Sequence, residues 1–197
     1  LIALVIASAL CVAVVISTEV TAMTIFFIAI GDQKQLSQVA RCAVRTACQF
    51  NPSNPIEVIS RFHLEEPMLR ITCSKLLFVE SSVESILSNT PLLAWYQHAS
   101  QDPRKFFNAD VSDAIRTALM YTRGGVYFDL DMISLRPLDS LPVNSLGQQL
   151  DKLDRKGKVP FINGAAMIFE KHNPFMQRVM SKFASAHQPK KFGSVGP

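Results

Sequence analysis

Two aspartates, Asp129 and Asp131, follow a run of apolar residues and form the pair best placed to do chemistry. The apolar run predicts a strand over residues 126–133. Side chains two residues apart on a strand point to the same face, so we expect both carboxylates to point together. Two such carboxylates repel each other unless a cation lies between them. Oxygen ligands of this kind suit Mg²⁺ or Mn²⁺, which keep positions open for water and nucleotide phosphates.

A second pair, Asp113 and Arg116, lies on a helix predicted over residues 110–123. Residues three apart share one helical face, so the two side chains can meet. Asp110 or Ser112 is expected to cap the start of this helix. Taken alone, the pair is better explained as an ordinary surface ion pair worth less than about 1 kcal/mol. The two aspartates likewise have a simpler explanation as solvated surface acids.

The rest of the chain must position these residues. Runs of β-branched and aromatic residues predict strands, and apolar residues that recur every three or four positions predict helices. Strands are expected at 24–30, 56–59, 75–80 and 161–170, and helices at 33–50, 81–89, 91–98 and 174–186. The polar segment 144–158 is expected to be a loop or a surface helix. Strands that alternate with helices predict an α/β sheet. In the last helix, Phe175, Val179 and Phe183 are expected to face the core.

Residues 1–18 contain no charged side chain. As a helix they would span roughly 27 Å, close to the hydrocarbon thickness of about 30 Å, which predicts a membrane anchor. A cleaved signal peptide and a buried core helix are the alternatives. The first residue is Leu and not Met, so we expect further residues upstream. The formal net charge of +4 is too small to favour nucleic acid as a partner, although it suits an anionic ligand.

Four cysteines are present, and Cys11 lies in the apolar run. Cys42 and Cys48 fall on different faces of one predicted helix, which disfavours a bond between them. Either can pair with Cys73 in an oxidising lumen. The alternative is that all three are small buried apolar residues.

The two pairs belong to a longer pattern. Ser-Asp-x-x-Arg begins at Ser112, Leu-x-Tyr-x-x-Gly-Gly-x-Tyr-x-Asp-x-Asp begins at Leu119, and Leu-Arg-Pro-Leu begins at Leu135. This pattern resembles the DXD-containing sugar-nucleotide region of the Golgi α-1,4-glycosyltransferases. The resemblance extends to residues 25–27, 40–44, 90–96, 163–165 and 169–170, and therefore covers roughly residue 23 to the end.

The resemblance implies a GT-A fold for a catalytic domain at residues 23–197. It implies a retaining transferase that moves galactose or N-acetylgalactosamine from a UDP-sugar to a glycolipid or glycan hydroxyl. The α-1,4 linkage formed would serve glycosphingolipid biosynthesis, with the protein of type II topology in the Golgi membrane and its domain lumenal. Asp129 and Asp131 would then be catalytic and hold Mn²⁺ or Mg²⁺. The substrate-binding residues would be Asp113, Arg116, Tyr127 and Asn163.

Three other interpretations accompany this one. A hydrophobic strand followed by Asp-x-Asp also occurs in phosphohydrolases of the haloacid dehalogenase type, although Met132 and Ile133 stand where those enzymes have Gly and Thr. Related DXD transferases of mannose-type glycans are closer to the pattern. The chain ends on a segment that resembles the one before the family's acceptor-side region, so we expect catalytic parts to be missing. The third interpretation is therefore a sugar-nucleotide-binding remnant that no longer transfers.

Overall fold

The computed structural model describes residues 22–101, 103, 107–149 and 161–188. Six strands form one mixed sheet, with helices on both faces. The strands are β1 (Ile25–Ala29), β2 (Ile56–Ser60), β3 (Leu76–Glu80), β4 (Gly125–Phe128), β5 (Ser145–Gln149) and β6 (Phe161–Phe169). The helices are α1 (Gln38–Phe50), α2 (Pro67–Thr72), α3 (Val83–Leu87), α4 (Leu92–Ala99), α5 (Phe107–Thr122) and α6 (Pro174–Ala186), with a short 3₁₀ turn at Leu138–Ser140.

The strand order across the sheet is β3-β2-β1-β4-β6-β5. The first four strands are parallel, whereas β6 pairs antiparallel with both β4 and β5. The carboxyl ends of β1 to β4 therefore meet at one edge, which we call the carboxyl edge. In α/β sheets, ligands bind outside this edge.

Two apolar layers hold the sheet between the helices. One layer lies between the sheet and α3 to α6, and the other lies between the sheet and α1 and α2. Alternation along β4 sends Tyr127 into the first layer and its neighbours Val126 and Phe128 into the second. Tyr127 therefore packs on the side of the sheet that α5 covers.

Gly124 and Gly125 join α5 to β4 in a conformation that other residues rarely adopt. Their φ angles are +65° and +109°. A Cβ on Gly124 would lie 2.5 Å from the backbone nitrogen of Lys171, and one on Gly125 would lie 2.6 Å from the carbonyl oxygen of Thr24. The double glycine therefore lets α5 reverse directly into β4, and this sets how the helix faces the strand.

A disulfide links Cys48 of α1 to Cys73, just after α2, while Cys42 is a free thiol. One of the two pairings that the sequence left open is thus the one formed. The disulfide links α1 to the end of α2 within the second apolar layer.

Several predicted boundaries are corrected. Helix α1 begins at Gln38 because the side chain of Ser37 accepts a hydrogen bond from the backbone N–H of Ala40 and caps it there. Helix α5 begins at Phe107, so Asp110 and Ser112 lie inside it and neither is its N-cap. Helix α2 was not predicted. Part of the segment expected to be a loop or helix is strand β5, and residues 150–160 lie outside the described residues.

The inward face of α6 is also corrected. Phe183 is buried as expected, but Met176 and Met180 fill the core beside it. Val179 is only half-buried. Phe175 is 46% exposed and stacks on the ring of Phe169 with centroids 5.9 Å apart.

The predicted anchor, residues 1–18, lies outside the described residues. In the part of the chain that the structure describes, no helix combines the length and apolar composition that crossing a bilayer requires. The division into an anchor and a domain at 23–197 stays a prediction.

Candidate functional site

Asp129 directly follows the last residue of β4, at the carboxyl edge, and its carboxylate is held from two sides. Its Oδ1 accepts a hydrogen bond of 2.5 Å from the hydroxyl of Tyr127 and one of 3.2 Å from Nη1 of Arg116. Its backbone N–H donates to the carbonyl oxygen of Ala165 on β6, at 2.8 Å. The side chain is still 33% exposed. One oxygen is therefore fixed while the carboxylate stays within reach of solvent.

Arg116 is the cation at the centre of the site. Its Nη2 forms an ion pair with Oδ1 of Asp113, one helical turn earlier on α5. Its Nη1 reaches Asp129 and also donates to the carbonyl oxygen of Gly164 at 3.0 Å. The guanidinium carbon lies 5.5 Å from the ring centroid of Tyr127. Among the described residues, the buried Nε of Arg116 meets no hydrogen-bond partner. Arg116 thus connects α5 to β4 and β6.

The pair of Asp113 and Arg116 is not an ordinary surface ion pair. The two side chains are 9% and 14% exposed. The hydroxyl of Thr117 donates to the backbone carbonyl of Asp113 at 2.7 Å, within α5. Burial removes most of the water that would solvate an unpaired charge, so removing one partner of this pair costs more than it would at a surface pair.

Asp131 lies in a turn and is exposed. The backbone N–H of Met132 donates to the carbonyl oxygen of Asp129 at 3.0 Å and closes this turn. The expectation that both aspartates share a strand face was wrong, because β4 ends at Phe128 and does not extend to residue 133. A tight turn, and not strand alternation, sets where Asp131 lies relative to Asp129.

Asn163 lies at the start of β6, in the segment that holds both Asp129 and Arg116. Its side-chain oxygen accepts a hydrogen bond of 2.8 Å from the backbone N–H of Ala165. The intervening Gly164 offers its carbonyl to Arg116. The two backbone carbonyls of Gly164 and Ala165 are site atoms that sequence reasoning missed. Only the resemblance to the glycosyltransferase family points to the Asn-Gly-Ala run that contains these two carbonyls.

Tyr127 is only 1% exposed, so the structure places it beneath Asp129 and not on a surface where substrate could lie. Burial raises the pKa of its phenol far above the ordinary value, the negative charge of Asp129 raises it further, and Arg116 opposes both effects. The phenol therefore remains neutral and donates its proton to Asp129 throughout the physiological range.

The charges and ligand types of the site fit a divalent cation. Three carboxylates, those of Asp113, Asp129 and Asp131, accompany one guanidinium, which leaves an excess of two negative charges. Within the described ranges, no three or more His, Cys, Asp or Glu side chains form a cluster suited to a metal. Mg²⁺ and similar ions often bind through one or two carboxylates, with water and substrate phosphates as the other ligands. Asp129 and Asp131 are the residues that fit this pattern.

A cavity of about 540 Å³ lies further along the carboxyl edge, at the ends of β2 and β3. Its lining includes Arg61, Phe62, Glu84 and Tyr96. Burial and the nearby carboxylate of Glu84 raise the pKa of the Tyr96 phenol. Neighbouring strands lie about 4.8 Å apart, so the end of β3 is about 14 Å from that of β4 across β1 and β2. The edge therefore offers an elongated ligand both a polar end and a partly aromatic end.

Comparison with known proteins gives consistent results. Residues 37–149 match the family model described as "Glycosyltransferase sugar-binding region containing DXD motif". The chain is 25% identical over 182 residues to mouse lactosylceramide 4-alpha-galactosyltransferase, covering 88% of this chain and 48% of the relative. It is 23% identical to human alpha-1,4-N-acetylglucosaminyltransferase over 184 residues, covering 88% and 51%. The chain thus spans about half the length of these curated relatives.

The fold is similar to that of a solved structure, the PaToxG glycosyltransferase. The TM-score is 0.65 at 18% identity, and the match covers 90% of this chain and 66% of that one. The likeness shows a shared mixed α/β fold. The family match extends over more than half of the chain and includes both aspartates, which removes the phosphohydrolase alternative. The chain belongs to the family of glycosyltransferases whose sugar-binding region contains a DXD motif.

Proposed function

We propose that this chain forms the donor-binding part of a metal-dependent, GT-A-type glycosyltransferase that uses a UDP-sugar. The observation that carries the proposal is the anchored carboxylate of Asp129 at the carboxyl edge, with exposed Asp131 beside it and the Asp113–Arg116 pair behind it. The names of the relatives favour galactose or N-acetylglucosamine as the sugar moved and an α-1,4 linkage as the product. The resemblance of the sequence pattern adds N-acetylgalactosamine as a third candidate.

Asp129 and Asp131 would hold Mn²⁺ or Mg²⁺. When bound, such an ion offsets the charge of the diphosphate and stabilises the nucleotide as it leaves. Hydrogen bonds to Tyr127 and Ala165 keep Asp129 in one orientation before the donor binds. Less free energy is then needed to orient this residue on binding.

The donor would lie along the carboxyl edge. Its sugar hydroxyls would contact Asp113 and Arg116, with Asn163 at the side where β6 begins. Its base would reach the cavity at the ends of β2 and β3, whose lining includes the aromatic side chains of Phe62 and Tyr96. The distance of about 14 Å between the ends of β4 and β3 suits an extended sugar nucleotide.

We infer that transfer occurs with retention by attack on the same face as the leaving group. The acceptor hydroxyl forms a bond to the anomeric carbon as the bond to the diphosphate breaks, and its proton passes to a diphosphate oxygen. A covalent route would need a free carboxylate next to the anomeric carbon. The nearly covered Asp113, already paired with Arg116, is poorly suited to that role.

The acceptor would be a glycolipid or a glycan, at the lumenal side of the Golgi membrane, with residues 1–18 as the anchor. The disulfide between Cys48 and Cys73 supports an oxidising compartment. A second candidate is a sugar-nucleotide-binding protein that does not transfer, because the residues of this site account for donor binding alone.

Release of UDP from three donors, UDP-galactose, UDP-N-acetylgalactosamine and UDP-N-acetylglucosamine, tests the proposal. With Mn²⁺ present we expect hydrolysis of at least one donor, and Asp129→Asn or Asp131→Asn should abolish it. Asp139→Asn is the control, because Asp139 is an exposed acid beyond the turn. Donor binding without UDP release would favour the second candidate. No binding of any donor would contradict both.

A further inference from the structure

The phenol of Tyr127 donates a hydrogen bond to Oδ1 of Asp129, and its oxygen also interacts with the side chain of Ser112 on α5. The ring lies in the apolar layer under α5, and the hydrogen bond of 2.5 Å is short. A buried ring has few orientations, so its hydroxyl is a fixed donor at the end of β4. The proposed function uses this hydroxyl only to orient Asp129 and assigns it no effect on Arg116.

The same oxygen of Asp129 also receives Arg116, but at the longer distance of 3.2 Å. Arg and carboxylate groups prefer two parallel hydrogen bonds of about 2.7–2.9 Å. Here Asp129 gives Arg116 one oxygen only, and Nη2 of Arg116 is turned toward Asp113. The phenol therefore holds Asp129 back from the closer two-oxygen pairing that its neighbour would otherwise favour.

We propose that Tyr127 is a positioning residue: it pins one oxygen of Asp129 and so prevents Arg116 from occupying the oxygen that a divalent cation needs. The inference rests on the proposed function, since it assumes that Asp129 holds the cation. Without the phenol, the Asp129 carboxylate is free to rotate about its Cβ–Cγ bond and close on the guanidinium. Arg116 then competes directly with the cation for the same carboxylate.

Tyr127→Phe tests this role, because it keeps the buried ring and removes only the hydroxyl. The measurement is Mn²⁺ affinity of the full chain, from the electron paramagnetic resonance signal of free Mn²⁺, with and without UDP. Loss of a group that orients a metal ligand weakens metal binding by about tenfold to a hundredfold, and we expect a loss of at least about tenfold. Tyr121→Phe is the matched control, since Tyr121 packs edge-on against His172 at the opposite end of α5.

A double variant separates competition by Arg116 from general loosening of the site. Lysine is a point charge that cannot make the two-oxygen pairing, so Tyr127→Phe with Arg116→Lys should recover most of the lost affinity. Unchanged Mn²⁺ affinity in Tyr127→Phe, even with a lowered melting temperature, would overturn the inference and leave the proposed function standing. If the double variant does not recover Mn²⁺ affinity, Arg116 does not compete with the cation for Asp129, and the inference is overturned. If the natural chain binds no Mn²⁺ with or without UDP, the proposed function fails, and this inference fails with it.

Discussion

Removing the charge of Arg116 should destabilise the fold more than removing the charge of its closest partner. In Asp113→Asn, the guanidinium keeps Asp129 at 3.2 Å and the Gly164 carbonyl at 3.0 Å, so its charge stays compensated. In Arg116→Met, the buried carboxylate of Asp113 loses its counter-ion, and Asp129 loses one of its two side-chain donors. The two variants therefore differ in whether a buried charge is left unpaired.

The contacts set the expected sizes. Asp113→Asn weakens one charge-assisted hydrogen bond, which is worth about 1.5–3 kcal/mol. Arg116→Met leaves the buried Asp113 without a cation, and breaking a buried pair in this way costs about 3–5 kcal/mol. Asp32→Asn is the control, because the pair of Asp32 and Arg61 is exposed on both sides with its atoms 3.9 Å apart, and such surface pairs are worth about 1 kcal/mol or less.

Urea denaturation followed by the fluorescence of Trp95 measures these differences. Trp95 is the only tryptophan of the chain, and it is buried against Phe183, so its emission reports on the packing of α4 and α6. The order expected for the loss of free energy of unfolding is Arg116→Met, then Asp113→Asn, then Asp32→Asn. A loss for Arg116→Met no larger than that for Asp32→Asn would refute the buried network as described.

Three further outcomes follow from the structure. Cys48→Ala should lower the free energy of unfolding by about 3–4 kcal/mol, the loop-closure entropy for a separation of 25 residues, whereas Cys42→Ala, at the free thiol, should change it little in the same urea assay. Gly124→Ala should cost about 1–3 kcal/mol in backbone strain and more from contact with residue 171, measured by thermal melting against Gly31→Ala, where a Cβ meets nothing within 4 Å. Burial raises the pKa of Tyr127, so the phenol of the unfolded chain loses its proton at a lower pH than that of the folded chain. The free energy of unfolding should therefore fall as pH rises above about 10, and Tyr127→Phe should show a shallower fall in alkaline urea titrations.

The order of strands and helices could be predicted because the buried elements carry strong side-chain patterns. The central strands β1 and β2 are apolar runs, and α1 shows apolar residues every three or four positions. Strand β5, with sequence Ser-Leu-Gly-Gln-Gln, has no such pattern. It is an edge strand held to β6 through backbone hydrogen bonds, which place few demands on side-chain type.

The structure brings Asp113, Arg116 and Asp129 together, three of the residues named from the sequence, and their geometry could be predicted only in part. Asp113, Arg116 and Asp129 meet because α5 packs on β4. The sequence indicates this packing, because only two glycines join the predicted helix to the predicted strand. The contact from Arg116 to the carbonyl of Gly164 spans 48 positions and uses a backbone atom, so no side-chain motif marks it. The role of Tyr127 required knowing that its ring is buried and that its hydroxyl donates to Asp129.

Calorimetric titration of UDP into the chain tests the central claim most directly, since a diphosphate brought near Asp129 and Asp131 needs a cation between the charges. With Mn²⁺ we expect measurable binding that EDTA removes and that Mn²⁺ in excess restores. Asp129→Asn and Asp131→Asn should each lose it, while Asp139→Asn should keep it. Binding of UDP that is unchanged by EDTA, or by both aspartate substitutions, would contradict a metal-dependent donor site and leave these residues as surface acids.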